Sequence, residues 1–193
     1  RRSSDLQQIT YTGKRSPFWM HVKLGADKFG KLQALETDWS CDHGPYCEFG
    51  DLVTTRGSQF IGAGYKIDNI RGFGRTVATN HGWGAAFRGF GSPQSLFASE
   101  QMMDELAIKM DIDPLELRYN NALREGEVTP NGCKLDVYVI PQLLDKIRPY
   151  YVKAKENDKE KNKISENKKY GSAISVLMYS CGLDGADSSE AWV

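Results

Sequence analysis

A glycine-rich turn at residues 82–94 holds the side chains of this chain that are best suited to chemistry. Four glycines stand within residues 82–91, and glycine lets a backbone turn sharply and direct successive amide N–H groups at an anion. Arg88 lies inside the turn, and its guanidinium can donate a fork of hydrogen bonds to an oxyanion. Ser92 and Pro93 then have the form of a helix start, with Ser92 as N-cap, which adds the partial positive charge of a helix N-terminus.

Two phenylalanines, Phe87 and Phe90, flank this anion site, so a planar organic molecule could lie beside it. The spacing of the glycines is neither that of a P-loop nor that of the Gly-x-Gly-x-x-Gly turn that opens a Rossmann helix. A structural interpretation stays open beside the chemical one: a glycine-rich connection from strand to helix in which Arg88 pairs with a surface acid. The pattern alone therefore predicts either a site for an anionic cofactor next to an apolar slot, or a connection without a ligand.

The elements that must position this turn follow from hydrophobic periodicity. Alternation, or a short buried run, predicts strands at residues 17–26, 32–40, 70–80 and 172–179, the first two forming a hairpin. Helical spacing predicts helices at residues 52–61, 92–110 and 113–123, and a fourth that begins at Pro141. Asp113 has the form of an N-cap, residues 41–51 favour an irregular loop, and the charged run 153–169 indicates a solvated helix end that passes into a linker.

The composition argues against several classes of function. Lysine and arginine total 25, and aspartate and glutamate also total 25, a balance that disfavours a nucleic-acid partner. No apolar run approaches the roughly 20 residues of a membrane-spanning helix, and no secretory signal is seen, so we expect a cytoplasmic location. The cysteines have no zinc or iron–sulfur spacing, and we expect reduced thiols at Cys41, Cys47, Cys133 and Cys181.

The turn also resembles a known signature. Residues 87–91 with Pro93 and Gln94 are similar to the Phe-Arg-Gly-aromatic-Gly-x-Pro-Gln motif of the xanthine dehydrogenase and aldehyde oxidoreductase family. Further segments resemble the same family, at residues 12–17, 42–46, 62–67, 69–72, 74–80, 113–118, 182–185 and 189–192. The resemblance covers essentially the whole chain and is strongest to the bacterial single-polypeptide aldehyde oxidoreductases, so the chain is identified as a fragment of a molybdenum subunit of this family.

The resemblance implies a reaction and a cofactor. Enzymes of this family insert an oxygen from water into a C–H bond, and the aldehyde oxidoreductases thereby convert an aldehyde to a carboxylic acid. Their cofactor is molybdopterin cytosine dinucleotide, whose dithiolene holds the molybdenum, while iron–sulfur clusters of the 2Fe–2S type on other parts of the enzyme carry the electrons away. Two alternatives stay open: a related hydroxylase of purine or nicotinate-type heteroaromatics, and a detached domain without a catalytic role.

The resemblance also assigns positions. Those that it places against the cofactor are Ala86, Phe87, Arg88 and Gly89. Those that it places along the substrate channel are Phe49, Leu52, Phe90 and Arg56. Arg56 matches a substrate-binding position of the xanthine-oxidising relatives, although a helix arginine paired with an acid explains it equally well. The family's catalytic glutamate stands in a Gly-x-Gly-Glu setting that this chain lacks, so we expect no catalytic residue and no metal ligand on it, and Glu190 is not given that role.

The expected architecture is α+β, mixed, with mostly antiparallel strands and packed helices, and part of the molybdenum-pterin-binding region. Residues 1–125 would end the first molybdenum cofactor-binding domain, residues 126–170 would be a helix and charged linker, and residues 171–193 would start the second such domain. The expected partners are an aldehyde, the remaining molybdenum and iron–sulfur domains or subunits, and a second copy in a homodimer of the full enzyme. No nucleic acid and no membrane span are expected.

Overall fold

The computed structural model describes residues 12–46, 48–164 and 166–179. Its elements in chain order are β1 (Phe18–Ala26), β2 (Leu32–Gly44), α1 (Gly50–Phe60), β3 (Asn69–Ala78), α2 (Ser92–Met110), α3 (Pro114–Asn121) and α4 (Ile140–Ile164). Each element lies at a segment that the sequence predicts, because its apolar side chains fall on one face that can be buried. None of the described helices is both long enough and apolar enough to span a membrane.

The three strands form one sheet in the order β1-β2-β3. β1 and β2 are an antiparallel hairpin, with Phe18 opposite Cys41 and Leu24 opposite Leu35. β3 runs parallel to β2, and α1 lies in the crossover between them, as a parallel pair requires. The predicted α+β class with a mixed sheet is confirmed. The described residues form one antiparallel and one parallel strand pair, whereas the sequence predicts mostly antiparallel strands.

The main hydrophobic core joins β2 to the helices. Its buried members are Leu32, Leu35, Ile61, Tyr65, Ile67, Met103, Ala107, Leu117, Ala122, Leu144 and Val176. A smaller cluster of Trp39, Cys41 and Val53 lies between β2 and α1, and Phe90 packs against it. The turn that precedes α2 is therefore supported by the sheet and by α1, the two elements that can fix its position.

A buried ion pair ties the last described segment to this core. Arg118 Nε donates to Glu100 Oε2 at 2.8 Å, and Arg118 has an exposed fraction of 0%. The Tyr65 hydroxyl donates to Glu100 Oε1 at 2.5 Å, and Val176 N donates to Oε2 at 2.8 Å. Burial raises the pKa of Tyr65 well above its ordinary value, so the hydroxyl keeps the proton that it donates. Helices α2 and α3 and residues 166–179 thus meet at one carboxylate.

Sequence and structure differ at two segments. β2 continues to Gly44, where a loop over residues 41–51 is predicted, because β1 and β3 hydrogen-bond to both of its edges. The strand predicted at residues 172–179 is wrong. No described strand pairs with this segment, so the periodicity reflects packing on the core instead of a sheet position: Val176 is buried, Ile174 packs against the main core and Met178 packs against the cluster of Phe60, Ala63 and Leu96.

Of the two predicted N-caps, at α2 and α3, one is wrong and one is confirmed. Gly91, with a φ of 99°, is the N-cap of α2, so the predicted cap at Ser92 is wrong. The Ser92 hydroxyl is buried and donates to Gly89 O at 2.6 Å, which closes the preceding turn. The predicted cap at Asp113 is confirmed, because its side chain accepts from Leu115 N at 2.9 Å.

Candidate functional site

The segment before α2 forms two consecutive tight turns. Phe90 N donates to Phe87 O at 2.7 Å, and Ser92 N donates to Gly89 O at 3.0 Å. Gly89, Phe90 and Gly91 have φ values of 90°, 47° and 99°, in the left-handed region that favours glycine. A phenylalanine in this region costs about 1–2 kcal/mol, so the surrounding contacts must hold it there.

Helix α1 fixes the end of this turn. A Cβ atom on Gly91 would lie 2.2 Å from Val53 O and 3.1 Å from Gly57 N. No side chain fits at that distance from a helix backbone, so only glycine lets the turn pack directly on α1. The neighbouring Phe90 side chain packs against the cluster of Trp39, Cys41 and Val53. The contact with α1 therefore determines where the turn lies and holds Phe90 in its strained conformation.

The guanidinium of Arg88 is accessible to an anion. Its side chain is exposed, and it forms no ion pair or hydrogen bond with any residue of the part that the structure describes. Within the same ranges, the backbone N–H groups of Arg88 and Gly89 also donate no hydrogen bond. The surface acid that a purely structural interpretation needs is thus not found among the described residues. A guanidinium and two amide donors can meet an oxygen-rich anion at this turn.

An apolar face lies next to these donors. The rings of Phe49 and Phe90 have centroids 6.3 Å apart and are tilted by 59°. Leu52 follows Phe49 by one helical turn, and the two side chains are partly exposed, at 37% and 39%. Three of the four predicted channel residues are therefore brought together beside the turn, where a small organic substrate could pack.

Arg56 is placed differently. Its exposed fraction is 5%, and its guanidinium carbon lies 5.2 Å from the ring centroid of Phe60 and 5.3 Å from that of Tyr179. These two rings are themselves stacked, with centroids 5.3 Å apart. Arg56 thus has two aromatic partners and almost no exposed surface, unlike Phe49 and Leu52.

The sequence does not single out the residues behind the turn. Arg15 Nη2 donates to Arg88 O at 2.7 Å, and the Arg15 guanidinium carbon lies 4.6 Å from the centroid of the Phe87 ring. Ser16 Oγ and His43 Nδ1 are 2.9 Å apart in a buried pair. Arg15 and Arg88 are 73 positions apart, so no local pattern could have joined them.

The described side chains supply no metal ligand set. Within the described ranges, no group of three or more His, Cys, Asp and Glu residues could hold a metal ion. A cofactor that carries its metal on its own sulfur ligands needs instead hydrogen-bond donors for its oxygens and an apolar wall for its organic part. The free donors of Arg88 and Gly89 and the aromatic face at Phe90 fit such a group.

Comparison with known proteins identifies the family. A family model described as a molybdopterin cofactor-binding domain matches residues 3–122. The chain belongs to this family. The match spans β1, β2, α1, β3, α2 and α3 and contains the whole turn. The family that the turn motif suggested is thereby confirmed, and the matched range includes Arg88 and its neighbours.

Individual relatives agree with the family match. The aldehyde oxidoreductase of Megalodesulfovibrio gigas is 58% identical over 186 residues, covering 96% of this chain and 20% of that protein. A solved aldehyde oxidoreductase structure from Desulfovibrio gigas matches with a TM-score of 0.78 and 60% identity, over 80% of this chain and 17% of that one. The nicotinate dehydrogenase large molybdopterin subunit of Eubacterium barkeri is 36% identical over 74% of this chain and 34% of its own length.

These relatives are much longer than the chain. The chain spans about a fifth of the length of the aldehyde oxidoreductase that it matches.

Proposed function

We propose that this chain forms one wall of the molybdopterin and substrate site of a molybdenum hydroxylase that oxidises aldehydes to carboxylic acids with water as the oxygen source. The observation that carries the proposal is the turn itself, where the Arg88 guanidinium and the Gly89 amide have no acceptor among the described residues and lie beside the aromatic face of Phe90. The 58% identity to an aldehyde oxidoreductase supports the choice of substrate class.

The residues of the chain would bind and orient. Ala86, Phe87, Arg88 and Gly89 would contact the cofactor, with the guanidinium and the free amides donating to its oxygens. When bound, the cofactor supplies the two-electron oxidation and the transfer of a water-derived oxygen. Proton abstraction belongs to a glutamate outside this chain, and no described residue is proposed as a catalytic residue.

The substrate would lie on the apolar face. Phe90, Phe49 and Leu52 would hold the organic part of an aldehyde and exclude water from it. Arg56 would act from below this wall, because its guanidinium is buried against Phe60 and Tyr179.

The finer assignments rest on the family alone. The cofactor would be the cytosine dinucleotide form, and 2Fe–2S clusters on other domains or subunits would take up the electrons. The full enzyme would be a cytoplasmic homodimer. Residues 1–125 would end the first cofactor-binding domain, and residues 171–193 would begin the second. Residues 126–170 would be the helix and charged linker between these two domains.

A heteroaromatic substrate is the second candidate. The 36% identity to a nicotinate dehydrogenase subunit supports it. It would need Arg56 to reach the substrate, and the 5% exposure of Arg56 favours the aldehyde instead. A detached domain without catalytic role would bind no cofactor, and the free donors at Arg88 would then have no ligand.

The test uses the full-length protein that contains this chain, expressed with molybdopterin supply. Molybdenum and released pterin are quantified per protomer, and aldehyde oxidation is followed in oxygen-18 water with an artificial electron acceptor. We expect bound molybdenum and one heavy oxygen in the carboxylate. Arg88→Met should lower kcat/KM by about tenfold or more, the loss of one hydrogen bond to a charged group.

Arg75→Met is the matched control. Arg75 is also exposed and lies over a phenylalanine ring, with its guanidinium carbon 5.0 Å from the centroid of Phe73, and it pairs with Asp38 on the sheet. This variant should keep wild-type activity. Protein without molybdenum, or a carboxylate without heavy oxygen, would contradict the proposed function, and oxidation of nicotinate or a purine in preference to aldehydes would select the second candidate.

A further inference from the structure

A short segment before β1 runs along the turn. We call this segment the strap, and it consists of Lys14, Arg15 and Ser16. The strap first contacts the chain that enters the turn. Lys14 N donates to Trp83 O at 3.1 Å, and Ala85 N donates back to Lys14 O at 3.0 Å. This pair of backbone hydrogen bonds fixes the entry of the turn as a short bridge would in a sheet.

The strap next contacts the apex and the exit of the turn. Arg15 Nη2 donates to Arg88 O at 2.7 Å, and its guanidinium lies over the ring of Phe87. Ser16 O accepts from Gln94 Nε2 at 2.9 Å, and Gln94 stands in the first turn of α2. Three successive strap residues therefore hold the entry, the apex and the exit of one turn.

The strap itself rests on a buried pair. Ser16 Oγ and His43 Nδ1 are 2.9 Å apart, and His43 has an exposed fraction of 0%. Burial lowers the pKa of His43, so the imidazole is neutral at pH 7. A Cβ on Gly84 would lie 2.3 Å from Ser16 Oγ, so the turn's entry is packed directly on this pair. The strap has a rigid base from which Arg15 can act.

The hydrogen bond from Arg15 has a consequence for the next peptide group. The described chain contains no cis peptide bond, and in a trans peptide the C=O and the following N–H point in opposite directions. Because Arg88 O is directed at Arg15, the Gly89 N–H points away from the strap. That N–H is one of the donors without an acceptor among the described residues. Glycine offers little resistance to a peptide flip, so the orientation depends on the contact at Arg88 O.

We propose that Arg15 is a positioning residue that locks the Arg88–Gly89 peptide so that the Gly89 N–H faces the cofactor. This role rests on the proposed function, because it requires an anionic cofactor at the turn. Arg15 does not touch the reacting atoms. It acts through the direction of one amide, and its stacking on Phe87 holds its own guanidinium in place.

The test compares Arg15→Met, Arg15→Lys and the control Arg75→Met in the full-length protein. Hydrogen–deuterium exchange of the peptide that spans residues 86–95 reports the turn, since the amides of Phe90 and Ser92 are bonded within it. Loss of molybdopterin during dialysis, followed by pterin fluorescence, reports cofactor binding. Arg15→Met should speed both processes by about tenfold, the effect of one hydrogen bond to a charged group.

The variants separate positioning from plain folding. Arg15→Lys keeps a donor for Arg88 O without the planar stack, so it should recover part of both effects, and Arg75→Met should show neither. If Arg15→Met does not fold, Gln94→Leu removes the exit contact and should also speed both processes. Unchanged exchange in Arg15→Met would contradict the claim that the strap holds the turn. Faster exchange with unchanged pterin retention would contradict the role of Arg15 toward the cofactor. Wild-type protein without any molybdopterin would instead contradict the proposed function itself, and this role with it.

Discussion

Replacing Gly91 with alanine would push the turn away from α1. Gly91 has a φ of 99°, and the added Cβ would lie 2.2 Å from Val53 O and 3.1 Å from Gly57 N. Both contacts are with helix backbone, which cannot yield by rotating a side chain. The turn must therefore move outward, and the donors of Arg88 and Gly89 move with it.

Two contributions determine the magnitude. A left-handed φ costs a residue with a Cβ about 1–2 kcal/mol, and forced overpacking adds about 1–3 kcal/mol. Together they lower the free energy of opening the turn by about 2–5 kcal/mol, which raises the open population at least about 30-fold. Gly126 separates the two contributions, because it has a φ of 86° and no heavy atom within 4 Å of an added Cβ. Gly126→Ala should destabilise its own loop by about 1–2 kcal/mol only.

Native-state hydrogen exchange on the full-length protein measures both openings. The amides of Phe90 and Ser92 should exchange at least about 30-fold faster in Gly91→Ala, and the variant should purify with less molybdenum. An effect at residues 86–95 no larger than that of Gly126→Ala on its own loop would refute the close packing of the turn on α1.

Arg56→Ala should lower kcat/KM for aldehydes by less than about tenfold, because Arg56 is buried beneath the channel wall, and a large loss confined to heteroaromatic substrates would support the second candidate. Glu100→Gln should lower the free energy of local unfolding by about 1.5–3 kcal/mol, since the buried Arg118 loses one of its two carboxylate partners and keeps Asp104, and exchange around residues 166–179 would show it. Burial raises the pKa of Asp42, but the hydrogen bonds that it accepts outweigh this and lower the pKa below its usual value. That stabilisation is present above a pH of about 4 and lost as pH falls further, so Asp42→Asn should flatten the acid side of a melting-temperature series.

Local signals in the sequence predict most of the elements. The cap at Asp113 and the start of α3 need only neighbouring residues, so the pattern of Asp113, Pro114 and Glu116 is sufficient. The family motif likewise places the turn and the residues beside it. Phe49, Leu52 and Phe90 meet because one helical turn and one motif bring them together.

Features that depend on distant contacts escape such patterns. Ser92 resembles an N-cap, but the backbone of Val53 determines that Gly91 takes this place. Arg15 becomes part of the site through a hydrogen bond across 73 positions. Residues 172–179 read as a strand because of their apolar run, although they pack on the core through Ile174, Val176 and Met178 and pair with no described strand. Apolar periodicity indicates which residues are buried, but it does not indicate which groups they pack against.

The most direct test of the central claim is a crystal structure of the full-length protein with its molybdopterin cofactor bound. We expect the Gly89 amide or the Arg88 guanidinium to lie within about 3.2 Å of a cofactor oxygen, with Phe90 on the substrate side. A cofactor bound elsewhere, with residues 86–91 in contact only with protein or solvent, would contradict the assignment of this turn as the wall of the site.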